Sequence, residues 1–97
     1  MSDIENKVNL SFNGSLSNLA GYDYGVATYK DQAENKLDIS RDFMIVFPDH
    51  IEGVASSFVQ GFFSIIVGEI GLLSTENRLI IKAKNKELEN SIKKKLE

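Results

Sequence analysis

The stretch EGVASSFVQGFFSIIVGEIG, Glu52 to Gly71, decides how this chain is read. It is apolar enough to suggest a membrane, yet two serines open it and glycines punctuate it. The run from Val54 to Leu73 is about as long as a bilayer-crossing helix. Against a span stand Ser56, Ser57, Gln60, Ser64 and Glu69 within it. A carboxylate such as Glu69 costs about 2.5–3.5 kcal/mol at the bilayer centre on insertion scales. No basic cluster flanks one end only, and no tryptophan marks an interface. The stretch is therefore read as the buried helix of a water-soluble protein.

On a helical wheel, at about 100° per residue, Ser57, Gly61, Ser64 and Gly68 fall in one narrow sector. Val59, Phe62, Phe63, Ile66 and Ile70 fall opposite, forming the face expected to bury against a sheet. Ser57 and Gln60 have the spacing of a capping box, which predicts a helix from Ser57 to about Gly71. Its β-branched residues and glycines make it a poor isolated helix, dependent on its surroundings. The flat small-residue side admits two readings. A neighbouring helix packs there, or it docks another protein or a second copy.

Working outward, DFMIVFP precedes this helix. It is short, rich in β-formers and closed by Pro48. It predicts a central strand, Phe43–Phe47, buried on both faces. PDHIEG is then a loop. Before the strand, the spacing of Val26, Tyr29, Ala33 and Leu37 is helical from about Tyr22, with Gly25 weakening its start. KVNLSFN alternates Val8, Leu10 and Phe12 with polar residues and predicts a half-buried strand ending at Asn13-Gly14. The glycine- and serine-rich segment over residues 14–25 reads as loop, with a short turn of helix left open, up to the start of the helix at about Tyr22. After the long helix, LLSTENR reads as a turn. RLIIKAK reads as a strand with Leu79, Ile80 and Ile81 in the core. Leu88, Ile92 and Leu96 mark a last amphipathic helix, with Lys93, Lys94 and Lys95 complementing its dipole.

The expected order is thus β-α-β-α-β-α. It implies one small α/β domain, residues 1–97, with a sheet of three or four strands and helices packed on it. Residues 1–6 are read as a flexible tail.

Composition narrows the function classes. There is no cysteine, hence no disulfide or thiolate metal site, and the single histidine, His50, excludes a multi-histidine centre within one chain. The charge of −3 divides unevenly, with +4 over residues 78–97 and −7 over the rest. That polarity hints at steering toward a partner and lacks the net basic character of a nucleic-acid binder. No phosphate loop, dinucleotide fingerprint or metal-ligand spacing occurs. His50 lies beside Asp49 without a legible nucleophile, so it is read as a solvated loop residue. Neither enzyme activity nor a cofactor is implied.

The run FMIVFPDHIEGVASSFVQGFF carries a resemblance. A buried strand, a short loop, a serine pair and an apolar helix make it similar to the STAS domain of bacterial anti-sigma factor antagonists. It is closer still to the STAS-like family of unknown function, DUF4325, whose members open this helix with a serine-phenylalanine pair, here Ser57-Phe58. The order of elements matches over roughly Tyr22 to Leu96, and specific residues match over about Phe43 to Gly71. In such antagonists the serine at the start of this helix is phosphorylated by a kinase that is also the anti-sigma factor. That serine corresponds to Ser57, with Ser56 beside it. Antagonists commonly carry an aspartate before the pair and a glycine after it, where this chain has Ala55 and Phe58. The bulk of Phe58 is expected to narrow access to the serine.

The resemblance implies a cytoplasmic, non-catalytic interaction module of a bacterial or phage regulatory circuit. Its partner would be a kinase-like ATPase or an anti-sigma factor. The surface expected to meet it comprises Ser56, Ser57, Gly61, Ser64, Gly68 and His50. The alternative is a homo-oligomeric structural or inhibitory protein of a phage or mobile element.

Overall fold

In the computed structural model, which describes residues 6–97, the strand built from DFMIVFP lies in the middle of a parallel sheet. Strand β3, Phe43–Val46, is flanked by β1, Lys7–Asn9, and β5, Leu79–Lys82. Lys7 lies opposite Met44 and Met44 opposite Ile80. Two residues on, Asn9, Val46 and Lys82 form the matching row. The helices between the strands are what allow parallel pairing. They are α1, Tyr22–Thr28, continued by a π-helical turn over Tyr29–Ala33; α2, Ser56–Ile70; and α3, Leu72–Arg78; a last helix, α4, Lys86–Lys94, follows β5. The α/β architecture and the central place of β3 are as the sequence predicts.

Two very short strands join this frame. β2, Asn18–Leu19, pairs in parallel with β4, Gly53–Val54, inside segments that read as loops in the sequence. Carbonyls of Ser17 and Leu19 accept hydrogen bonds from Glu52, Gly53 and Ala55, fixing where α2 begins. Upstream, Asn13 Oδ1 accepts from both the N–H and the hydroxyl of Ser15, closing the expected turn.

One face of the sheet carries the core. Val8, Phe43, Ile45, Leu79 and Ile81 point inward and join Val59, Phe62, Phe63 and Ile66 of α2 and Leu88, Ile92 and Leu96 of α4 in one buried cluster. Burying side chains of this kind contributes about 1.5–3 kcal/mol each. The opposite face differs from expectation. Met44 and Val46 are only half-buried, and Ile80 is 40% exposed. The alternation of an extended chain turns every second residue of FMIV and LIIK away from the helices. Ile80 is therefore not a core residue.

The helix α1 crosses α2 at glycines. A Cβ on Gly25 would collide with the carbonyl of Phe58, and one on Gly61 with the carbonyl of Tyr22. Gly25, expected to weaken the helix, instead permits this approach. The helix also stops earlier than the spacing suggests. Its last turn ends at Ala33, Asn35 takes a left-handed φ of 68°, and Leu37 lies beyond it.

At Gly71, φ 86° and ψ 160°, α2 ends and the chain turns by 109° into α3. LLSTENR thus forms a helix rather than a turn. The Gly71 carbonyl receives both the N–H and the hydroxyl of Thr75. Among the described residues no single helix is long and apolar enough to cross a membrane.

The edges of the sheet are partly guarded. Lys93 Nζ donates to the Leu79 carbonyl of β5, and Glu89 Oε2 accepts from Ala83 N–H. Past β1, the Gln32 side chain pairs with both backbone groups of Ser11. Such contacts block added strands.

Of the segment read as a tail, residues 1–5 lie outside the described residues, whereas Asn6 is tied in. Its side chain donates to the carbonyls of Asp38 and Asp42 and accepts from Asp38 N–H. Asp38 in turn accepts from Ser40 and Arg41, which together hold its carboxyl below the ordinary value.

Candidate functional site

The start of α2 is assembled from four parts of the chain. Strand β4 delivers Ala55, whose extended backbone opens the helix, so the N-cap is Ala55 and the first turn begins at Ser56. The expected capping box does not form. Ser57 Oγ accepts from the N–H of Gly21, at 2.9 Å, in the corner between β2 and α1. Gly21 holds φ 105°, a backbone state that favours glycine. The amide of Gln60 reaches away from Ser57 and donates to the carbonyls of Lys95, at 2.6 Å, and Leu96, at 3.1 Å. Lys95 Nζ donates to the Val54 carbonyl at 2.6 Å. The end of α4 is therefore fastened to the strand and first turns that launch α2.

Both Ser56 and Ser57 are exposed. Phe58 is completely buried, stacked on Phe62 and meeting the edges of Phe12 and Tyr24. It is turned into the core, so it does not stand over the serine as its bulk suggests from sequence. No acidic residue occupies the first turn of α2, leaving its positive dipole end without a resident carboxylate. Lys95 brings a cation to the same corner.

The six expected surface residues separate in space. Ser56 and Ser57 stand at the α2 corner. Gly61 is buried beneath α1, against Tyr22, and presents no surface. Its place in the small-residue stripe answers to an internal helix contact. Ser64 is half-buried with its hydroxyl donating to the Gly61 carbonyl. Gly68 is open, with nothing within 4 Å of where a Cβ would stand. Ser64 and Gly68 line a depression of about 430 Å³ with Tyr22, Val67, Leu72 and Leu96 among its walls. His50 is engaged elsewhere, its Nε2 lying 3.2 Å from the Asn13 carbonyl.

Sequence reasoning missed Gly21 and Lys95. The first sits in a glycine-rich run where nothing singles it out. The second belongs to a lysine triplet whose members look alike until the fold gives each a carbonyl or solvent.

Among the described residues no group of three or more histidine, aspartate or glutamate side chains could hold a metal ion. No protein-family model, curated protein or solved structure matches the chain.

Proposed function

We propose that the protein is a non-catalytic interaction module of the anti-sigma-antagonist kind. It binds a protein partner through the start of α2 and the β2–α1 corner, with Ser57 as its switch. The observation that carries this reading is the state of Ser57. Its hydroxyl is exposed at a helix N-terminus and also holds Gly21 of a different element. A phosphate on that oxygen adds about −1.5 to −2 charge beside unsatisfied helix N–H groups and a nearby ammonium. The same ester turns the Oγ that holds Gly21 into a bridging oxygen, a weaker acceptor, and crowds the corner with the phosphoryl group. A partner fitted to the neutral corner then meets both a charge and a displaced loop. By the resemblance, that partner is a kinase-like ATPase or an anti-sigma factor.

Affinity capture from host lysate with wild type, Ser57→Ala and Ser57→Asp checks the reading. The same partner should be held by the first two and lost by the third. Equal capture by all three reduces Ser57 to a structural contact.

A second reading, self-association, is favoured by one observation. Tyr22 is 50% exposed, Leu72 40% and Leu73 71%, around the open half of the small-residue stripe. Light scattering behind size exclusion distinguishes it: a dimer dissociated by Leu73→Glu supports it, and a monomer at all concentrations rejects it.

A further inference from the structure

Asn13 is the one asparagine of the chain that precedes a glycine. Asn13 and Gly14 are both exposed, and nothing lies within 4 Å of where a Gly14 Cβ would stand. The pair opens a turn closed by Leu16 N–H, which donates to the Asn13 main-chain carbonyl at 3.0 Å. His50 Nε2 lies 3.2 Å from that same oxygen. A carbonyl only accepts, so this ring nitrogen carries the hydrogen. The side-chain Oδ1 takes the Ser15 N–H at 2.9 Å and the Ser15 hydroxyl at 2.8 Å. Its bond to a donor two residues on folds the carboxamide over the Asn13–Gly14 peptide. Among the described residues no acceptor takes the Gly14 N–H.

We infer that this turn is a self-modification site, at which the folded chain promotes conversion of the Asn13 carboxamide to a carboxylate, with water as the only co-reactant. Hydroxide removes the Gly14 N–H proton. The freed nitrogen bonds to Asn13 Cγ, the Cγ–Nδ2 bond breaks, and Nδ2 leaves as ammonia with a proton from water, which restores the hydroxide. Water then opens the cyclic imide. Attack at Cγ gives aspartate, and attack at the main-chain carbonyl carbon gives isoaspartate. Nothing is oxidised or reduced. Negative charge develops on two atoms in turn. The ionised peptide is delocalised onto the Asn13 main-chain oxygen, where Leu16 and His50 donate. The tetrahedral adduct carries its charge on Oδ1, where Ser15 donates twice. Donors already fixed where charge will appear lower a barrier without reorganisation. Gly14 adds no side chain to obstruct the new bond. The product brings a negative charge to the segment leading to Ser17, whose carbonyl receives Glu52 and Gly53, and isoaspartate also lengthens the backbone there.

The reaction does not depend on Ser57 or on a partner. The test ages the full chain at neutral pH, digests it and follows the exchange of NH2 for OH at Asn13 by mass spectrometry, with the aspartate and isoaspartate peptides separated by chromatography. Asn18, Asn35 and Asn90 in the same digest are internal references and should convert about tenfold or more slowly. The folded chain should convert Asn13 faster than the same chain unfolded in urea. Ser15→Ala and His50→Ala each remove a donor and should slow conversion about threefold or more. Were the turn only holding the asparagine still, loosening it by these changes would speed conversion, so the sign separates the two cases. Ser15 is exposed and His50 half-buried in a loop, and an unchanged amide spectrum elsewhere verifies the fold. Faster conversion in urea, equal conversion at the reference asparagines, or unslowed conversion in the two variants overturns the inference.

Discussion

Gly25 of α1 and Gly61 of α2 meet where the two helices cross, each lying against the main chain of the other helix. The contact is unforgiving because the obstructing atoms are backbone. A carbonyl cannot rotate aside as a side-chain tip can. Helix propensity alone says that alanine should replace either glycine with a gain of about 0.8–1 kcal/mol. Packing reverses the sign. Gly25→Ala and Gly61→Ala are each expected to destabilise by about 1–3 kcal/mol through overpacking, read as a lower denaturant midpoint. Gly68→Ala, on the same helix with open space around it, is expected to stabilise by about 0.5–1 kcal/mol. Equal effects at Gly61 and Gly68 would contradict the crossing.

Replacing Ser57 separates the corner contact from a simple cap. Ser57→Ala removes the acceptor of Gly21 N–H at an exposed position, a loss of about 0.5–1.5 kcal/mol. Ser56→Ala, at the exposed neighbouring position, is expected to change stability by less than about 0.5 kcal/mol. The specific signature is amide exchange. The Gly21 N–H should lose protection in Ser57→Ala while the amides of β3 keep theirs. Unchanged protection at Gly21 would remove the basis for the switch.

The phenol of Tyr29 is nearly buried and faces the carboxylates of Glu69 and Glu34. Burial first, then those two charges, push its pKa above the ordinary 10.0. The sign for stability follows. The folded state disfavours the phenolate, so this contribution is whole below pH 10 and is lost as alkali ionises the unfolded chain first. The tyrosinate absorbance of native protein should contain a component above pH 10 that disappears in Tyr29→Phe. Glu69→Gln should move that component down.

The last helix has its own cap. Asn85 Oδ1 accepts from Leu88 N–H at 2.8 Å, while Leu88 and Ile92 anchor the buried edge. Asn85→Ala is expected to cost about 1 kcal/mol, and Ile92→Ala about 2–5 kcal/mol. If thermal melts show both equally mild, α4 is not seated as described.

Long-period patterns were the most readable part of the sequence. Val59, Phe62, Phe63 and Ile66 define the buried side of α2 at helical spacing, and Leu88, Ile92 and Leu96 do the same for α4. FMIVF gave the central strand because nothing else suits so short an apolar run. Continuous apolar strings hide alternation, however, so Met44 and Ile80 could not be assigned to the open face from composition. The strands Asn18–Leu19 and Gly53–Val54 are too short to carry any period. LLSTENR contains residues typical of turns, yet Thr75 bonds back to Gly71 and the helix resumes. At the candidate site, the spacing of Ser57 and Gln60 satisfied a local rule that distant partners overrode. Gly21 claimed one side chain and the backbone of Lys95 and Leu96 the other. Local spacing cannot register a partner 35 or 36 residues away.

That distance has a consequence for synthesis. Val54 and Gln60 leave the ribosome some forty residues ahead of the lysine and carbonyls that fasten them. A growing chain can form the serine-bearing turn early, but the turn stays unlatched until Lys95 and Leu96 emerge. On the proposed reading, a nascent polypeptide has no finished surface to offer, and its regulatory partner can engage only molecules whose translation has passed that point.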